Sequence, residues 1–440
     1  MACGTSAQVN RAAIAPVGLP AAKSFAPTSA QPFSRDAASF QRDFMRLAFT
    51  LESGRPLPIF SRFEGPVTVR LTGKARSRLV QRDLDHLIAR LRAEAKIPIT
   101  RVAAGEQANI SIELIDQSAL QRVVPNAACF VAPNVTGWQE FLRNRSSDAL
   151  DWTKITRRTR MSIFIPATVS PQEIRDCLHE ELAQALGPVN DLYDLSDSVF
   201  NDDNFHTVLT GFDMAILRAF YHPSLSSGMS REDVARAMPT IARQLGANGR
   251  SGAVSSGAPT PASWKRSIER ALGSGTANSQ RLEAAGQAAA IAKNQGWRDV
   301  RLGFSLYALG RLSLAQNPDL AIASFAAADN AFSQVPGAAI HRAHVGVQMA
   351  AFALSSGQAE RAIAIIDTHS PAALRAQNAW LLSTMLMIKA TALEKIGRDE
   401  QANVVRLDSL GWARYAFGSE AEIRARLGDI QTLARRPVGS

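Results

Sequence analysis

The fold of the first half of this 440-residue chain depends on residues 170–191, which read SPQEIRDCLHEELAQALGPVND. Ser170 and Glu173 have the spacing of a helix capping box, and a proline directly after Ser170 occupies the first helical position. The glycine–proline pair at 187–188 is a stop signal. The sequence therefore predicts a helix close to Pro171 through Leu186.

Glu181 lies on the apolar stripe of this predicted helix. The stripe consists of Ile174, Leu178, Leu182 and Ala185. Burying a bare carboxylate is costly, so Glu181 must be paired, neutralised or open to a cleft. Two interpretations remain open, a structural glutamate bonded to a neighbouring strand or arginine, and a functional one.

Strands and a helix precede this segment. Residues 79–95 predict a helix, because their leucines and isoleucine share one face. The predicted strands are Val67–Leu71, Ile110–Leu114, Cys129–Val131 and Met161–Ile165. We therefore expect an α+β domain in which helices pack on a sheet.

Residues 180–191 resemble the H-E-x-x-H-x-x-G-x-x-H/D helix of the metzincin zinc peptidases, without a gap. Residues 197–200 are similar to the methionine turn of that family, and residues 209–221 resemble its closing helix. The resemblance covers roughly residues 40 to 235. It points to a bacterial family of unknown function that is grouped with metzincin-like peptidases, occurs in envelope proteins and is sometimes fused to helical repeats.

The chain departs from this family at the positions that bind zinc. Glu180 and Gln184 stand where the first two histidines are expected, and Asn190, with Asp191 beside it, stands at the third ligand position. The turn methionine is replaced by Phe200. Zinc favours imidazole and thiolate ligands, so the resemblance implies a domain that has kept the fold and lost the usual ligands.

A catalytic alternative stays open. In an atypical metallopeptidase, Glu181 would be the general base, and some of Glu180, Gln184, Asp191 and His206 would hold the metal. Only under that alternative would zinc be a cofactor. A set of carboxylate and amide oxygens suits a harder cation, but calcium requires about six to eight oxygens, so we expect weak affinity without further ligands.

The three cysteines cannot form a disulfide scaffold. Cys3 lies between small residues before a polar stretch, which resembles the lipidation site of a bacterial lipoprotein; the alternative is a free thiol without a role. Cys129 and Cys177 would form a disulfide between sheet and helix in an exported protein. In a reducing compartment they would be two buried thiols.

Two further groups of polar residues have less specific patterns. Asp194, Asp197, Asp202 and Asp203 resemble a calcium loop in composition only, and we expect a solvated acidic turn. His341 and His344 could share a helical face, and we expect a structural or solvated role for both.

The last part of the sequence contains a repeated pattern. Gly357–Ala362 and Gly397–Ala402 lie 40 residues apart, each after an apolar helical stretch, and an earlier copy spans 306–325. Such hairpins bury their apolar faces only by stacking, so we expect an all-α, tetratricopeptide-like helical-repeat domain. Residues 407–418 predict a terminal capping helix. Repeat arrays present concave surfaces to other polypeptides, which makes a protein or a peptide the expected partner.

Composition divides the chain further. Residues 1–38 are rich in Ala, Pro, Ser and Gln and predict a disordered tether, and residues 246–262 predict a Gly/Ser/Pro linker. The metzincin-like domain would then span 39–245 and the repeats 263–440. No apolar run approaches the roughly 18 residues that cross a bilayer, so a lipid anchor is the most membrane contact we expect.

The formal net charge of +10 is unevenly distributed. Residues 1–245 contain 28 basic and 25 acidic residues, a net charge of +3, and the remainder contain 21 and 14, a net charge of +7. No nucleic-acid-binding motif accompanies this charge, and we expect no nucleic-acid partner. The sequence predicts a non-catalytic adaptor of the cell envelope or periplasm.

Overall fold

A computed structural model describes residues 19–27, 31–73, 77–125, 127–201, 203, 205–248, 259–273 and 275–435. These residues form a mixed α/β domain followed by a region of packed helices. Within the described ranges, no helix has the length and apolar character required to cross a membrane.

The first domain contains one five-stranded sheet. Its spatial order is β2-β1-β3-β5-β4; neighbours among β1, β2, β3 and β5 run parallel, and β4 is antiparallel to β5. The strands are β1 (Val67–Gly73), β2 (Ile99–Arg101), β3 (Ile110–Ile115), β4 (Phe130–Pro133) and β5 (Met161–Pro166). Four of them lie where the sequence predicts strands. The short strand β2 was not predicted.

Seven helices accompany this sheet within the described residues. They are α1 (Ala37–Phe49), α2 (Arg78–Ala93), α3 (Gln117–Val123), α4 (Trp138–Asn144), α5 (Pro171–Leu186), α6 (Gly211–Phe220) and α7 (Arg231–Gln244). Strand β5 separates two cores, because Met161, Ile163 and Ile165 face the large core that contains α1, α2 and α5–α7. Phe164 faces a smaller aromatic core that contains Trp138 and Phe141.

Cys177 on α5 and Cys129, directly before β4, form a disulfide with Cα atoms 6.0 Å apart. The bond connects the helix to the antiparallel strand at the edge of the sheet. It closes a segment with a sequence separation of 48 residues that includes α4 and β5.

The second part of the chain is entirely helical where it is described. Its helices are α8 (Ala262–Leu272), α9 (Asn278–Asn294), α10 (Val300–Ser313), α11 (Pro318–Ser333), α12 (Ala339–Ser355), α13 (Ala359–Arg375), α14 (Ala379–Lys395), α15 (Asp399–Ala416) and α16 (Glu420–Arg435). Gly357 and Gly397, with φ of 75° and 73°, provide the turns that end α12 and α14. Gly310 and Gly346 allow close packing, since a Cβ there would lie 2.8 Å from Phe325 and 2.5 Å from His369.

The predicted terminal cap, residues 407–418, falls mainly within α15, and α16 follows it. One side of α15 is covered by residues 19–27, which belong to the stretch predicted to be a tether. The Lys23 amide donates to the Gly411 carbonyl (2.9 Å), and Phe25 stacks on Trp412 with ring centroids 4.5 Å apart. This described part of the amino-terminal stretch is therefore packed against the helical region.

Side chains also connect α2 and α5 of the first domain to the helical region. The Tyr415 hydroxyl on α15 donates to Asp83 Oδ2 on α2 (2.6 Å), and both side chains are buried. Gln172 Oε1, at the start of α5, accepts from the Ala379 amide (3.0 Å), while Arg175 donates to the side chain of Gln377. The two parts therefore share a buried polar interface.

Removal of the disulfide should destabilise the first domain. Because the unfolded chain regains freedom in a long loop, replacing Cys129 and Cys177 by serine should lower the free energy of unfolding by about 2–4 kcal/mol. Urea denaturation of protein produced in an oxidising compartment measures this change. Cys3→Ser is the control for thiol loss. Equal stability of the double variant and the parent chain would contradict the prediction.

The interface predicts that the two parts stay together when the chain is cut. A protease recognition sequence inserted within residues 249–258 allows cleavage, after which both pieces should co-elute in gel filtration. Tyr415→Phe should weaken their association by roughly ten-fold, because buried Asp83 loses its hydrogen-bond donor. Tyr221→Phe is the matched control, since the Tyr221 hydroxyl donates within the first domain, to the Leu186 carbonyl. Separation of the two pieces at micromolar concentration, after cleavage of the chain without the tyrosine substitutions, would refute the prediction.

Candidate functional site

Helix α5 has the boundaries that its sequence predicts, Pro171–Leu186. The Ser170 side chain accepts from the Glu173 amide, and the Glu173 carboxylate accepts from the Ser170 amide, so the capping box is formed. At the other end, Arg158 donates to the carbonyls of Gln184 (2.6 Å) and Ala185 (2.9 Å) and to that of Gly187. Both ends of the helix are thus held by named side chains.

Glu181 is buried, with 5% of its surface exposed. Burial, followed by the nearby carboxylates of Asp191 and Glu52, raises its pKa to about 8, and a hydrogen bond with the backbone of Val131 opposes this rise. At neutral pH the side chain is therefore mainly protonated. A protonated carboxylic acid cannot take a proton from water, which is the role of a general base.

The other predicted site residues on α5 have different surroundings. Glu180 is half-buried and lines a cavity of about 410 Å³ together with the disulfide cysteines, Cys129 and Cys177. Gln184 is half-buried, and its backbone carbonyl is engaged by Arg158. The cavity beside Glu180 therefore adjoins the disulfide.

The candidate residues that follow α5 in the chain lie in different parts of the structure. Asp191 is buried and acts electrostatically on Glu181, whereas the Asn190 amide donates to the Arg46 carbonyl of α1 (3.0 Å). The His206 imidazole bonds to the Ser196 carbonyl (3.0 Å), and its ring lies 5.7 Å from that of His341. Burial and His341 lower the pKa of His206. The structure thus brings Asp191 to Glu181, and it places His206 beside the helical region.

These residues do not fit the zinc site that the resemblance implies. In the described part of the chain, no three His, Cys, Asp or Glu side chains are grouped closely enough to hold a metal ion. Asn190, at the third ligand position, is directed to the backbone of α1. His179, the histidine of α5, accepts from the Leu209 amide through Nδ1, and burial lowers its pKa well below the usual value.

The turn beneath α5 is built around Asp213. Its carboxylate accepts from the amides of Val199 and Thr210 and from the Ser198 hydroxyl, which fixes the start of α6. Burial raises the pKa of Asp213 to about 6. Phe200, at the position of the turn methionine, is fully buried in the large core.

The acidic turn is not solvated as expected. Asp194 is fully buried and forms a bidentate pair with Arg46, with N–O distances of 2.8 and 2.9 Å. Asp197 pairs with Arg35, and Asp203 Oδ2 lies 3.0 Å from His341 Nε2. Asp202 and Cys3 lie outside the described residues. The expectation failed because each partner is distant in sequence, and no local spacing indicates it.

Sequence reasoning also missed Phe205. This residue of the first domain is 3% exposed and inserts between helices of the second part, with its ring 5.7 Å from Phe304, 5.4 Å from Tyr307 and 4.6 Å from His344. A lone phenylalanine in a polar loop carries no signal for such a contact. The Phe205 side chain lines a cavity on the helical region.

The protonation of Glu181 predicts a specific pH dependence. Between its ordinary pKa of 4.5 and its folded pKa of about 8, the folded chain holds a proton that the unfolded chain releases, so stability falls as pH rises. In Glu181→Gln, the slope of unfolding free energy against pH should be less negative by up to about 1.4 kcal/mol per pH unit. Urea denaturation between pH 5 and 8 measures the slope. Glu180→Gln is the neighbouring control, and parallel curves for Glu181→Gln and the parent chain would contradict this assignment.

Comparison with known proteins was informative for the first domain only. Residues 37–240 match the model of a family described as a protein of unknown function, DUF2927. No curated protein and no solved structure matches the chain. A DUF2927 domain thus covers residues 37–240, and a helical region follows it.

Proposed function

We propose that this protein is a non-catalytic adaptor of the cell envelope, in which a metzincin-like domain supports a tetratricopeptide-like region that binds protein or peptide partners. The domain has the strand and helix order that the resemblance implies, and it places Glu181 on a capped helix. The Ser198–Phe200 turn, bonded to the start of the closing helix, is a further point of support.

The burial of Glu181 carries the non-catalytic part of this proposal. A general base must be ionised and within reach of the water that it activates. Glu181 is buried beside Asp191 and Glu52, and in the metal-free chain its pKa of about 8 keeps it mainly protonated at neutral pH. Glu181, at the position of the general base in the peptidases, thus retains its carboxyl group in the protonated form that burial favours.

The helical region carries the binding part. Helices α10–α15 form three successive hairpins, and repeat arrays of this kind use the surface across their stacked helices to hold polypeptides. The net charge of +7 on residues 246–440 favours an acidic protein, peptide or envelope polymer.

The envelope location is supported by the disulfide, since such bonds persist in oxidising compartments. Lipidation at Cys3 would add an anchor. Mass spectrometry of the protein isolated from its native membrane fraction tests this, with Cys3→Ser as the control.

Metal analysis and peptide cleavage test the proposal together. We expect the purified full chain to contain less than stoichiometric zinc and to leave a peptide library intact by mass spectrometry, at a level equal to that of Glu181→Gln. The reason is that the ligand positions lack imidazole and the predicted base is protonated.

The opposite result identifies the alternative. Stoichiometric zinc that a chelator removes, together with cleavage that Glu181→Gln abolishes, would make this protein an atypical metallopeptidase. Glu180→Gln and His206→Gln would then report which side chains contribute to the metal site.

A further inference from the structure

A cavity of about 510 Å³ lies on the helical region where the first domain contacts it. Its walls come from α8, α9, α10, α12 and α14, and part of its floor is formed by Asp203 and Phe205 of the first domain. Its volume is within the range of ligand pockets and is sufficient for two to three side chains.

One side of this cavity is aromatic. Phe304 and Tyr307 of α10 and Trp380 of α14 line it, and Phe205 packs edge-on against the first two. Trp380 is half-buried, so part of its ring is accessible to a ligand. Tryptophan contributes strongly to binding energy when a ligand covers it. This side is suited to an aromatic or aliphatic side chain.

The other side is cationic. Arg281 of α9 and Arg311 of α10 line the cavity. Arg281 donates through Nε to the Ala271 carbonyl (2.9 Å), and the Arg311 guanidinium lies 5.9 Å from the Tyr307 ring centroid and hydrogen-bonds to the Tyr307 side chain. Neither arginine forms an ion pair with an acidic residue in the described ranges. Two guanidinium groups are therefore available to an anion.

The acidic residue in the lining, Asp203, forms no ion pair with either arginine in the described ranges. Asp203 Oδ1 accepts from the Phe205 amide (3.1 Å), and Oδ2 lies 3.0 Å from both Asn201 Nδ2 and His341 Nε2. Both carboxylate oxygens are thus engaged within the loop and with α12.

His344 adds a polar atom that lacks a partner. It lines the same cavity and is 8% exposed, and among the described residues its Nε2 has no hydrogen-bond partner. Burial lowers the pKa of this imidazole to about 3, so the ring is neutral. A buried polar atom without a partner costs stability that a ligand atom can recover.

We propose that this cavity binds a partner polypeptide through an acidic side chain next to an aromatic one. The aromatic ring would pack against Trp380 and Phe304, and the carboxylate would pair with Arg281 and Arg311. This inference rests on the proposed adaptor function and specifies the chemistry of its ligand.

Fluorescence polarisation with labelled octapeptides tests the proposal on the full chain. The probe is GSGEFGSG with an amidated carboxyl end, and the matched peptides are GSGQFGSG and GSGESGSG, also amidated. We expect the first to bind at least about ten-fold more tightly than either match, since each loses a charge-assisted hydrogen bond or the aromatic contact. A peptide that ends in Gln-Phe with a free carboxyl end has no acidic side chain. Its binding shows whether the cavity accepts the carboxylate of a chain terminus in place of an acidic side chain.

Variants of the cavity complete the experiment. Arg281→Gln, Arg311→Gln and Trp380→Ala should each weaken binding of GSGEFGSG by about ten-fold. Arg298→Gln removes one exposed charge outside the cavity and should leave binding unchanged. Thermal unfolding of each variant shows whether the fold is retained.

The proposal is overturned by no detectable binding of GSGEFGSG at millimolar concentration, by equal binding of GSGQFGSG or GSGESGSG, or by binding only of the free carboxyl terminus. Peptide binding that survives Arg281→Gln/Arg311→Gln would place the partner surface elsewhere and leave the adaptor function intact. Hydrolysis of the peptides would instead overturn the adaptor function itself.

Discussion

The position of α5 depends on a buried arginine. The guanidinium of Arg158 donates to backbone carbonyls at the carboxyl end of this helix, where the helix dipole concentrates negative charge. Burial lowers the pKa of Arg158 to about 10, which reflects the energetic cost of placing its charge there. Because Arg158 lies three residues before the start of β5 at Met161, this interaction fixes α5 against the sheet and determines where Glu181 lies.

With both ends of α5 fixed, its side chains contact three neighbouring parts of the structure. Glu181 turns to Asp191 and the backbone of β4, Cys177 is bonded to Cys129, and Gln172 accepts from the start of α14. These contacts support the internal structure of the domain and its junction with the helical region.

The sequence was sufficient for features that local rules determine. The capping box of α5, the alternation of β1 and the glycine turns at Gly357 and Gly397 follow from residues close together in the chain. Strand β2 was missed because three residues contain too little periodicity for a strand prediction. The same reasoning placed carboxylates and histidines in the right segments but could not assign their partners.

Those partners depend on tertiary structure. Arg46 is 148 residues from Asp194, and His341 is 138 residues from Asp203, so neither pair leaves a local pattern. In place of the predicted solvated turn, Asp194 and Asp197 pair with arginines, and Asp203 contacts the His341 imidazole. Glu181 is an intermediate case, since its position on an apolar stripe indicated that it must be paired or neutralised, and the structure contains a buried, mainly protonated carboxyl group.

The junction between the two parts gives the first domain a structural role in the helical region. Phe205 and Asp203 belong to the first domain, yet they line a cavity whose other walls are helices of the second. The helical region alone would lack this floor. Without Phe205, the rings of Phe304 and Tyr307 would lose the aromatic ring that packs against them. The binding site that we propose would therefore require both parts of the chain, because Asp203 and Phe205 of the first domain complete its lining.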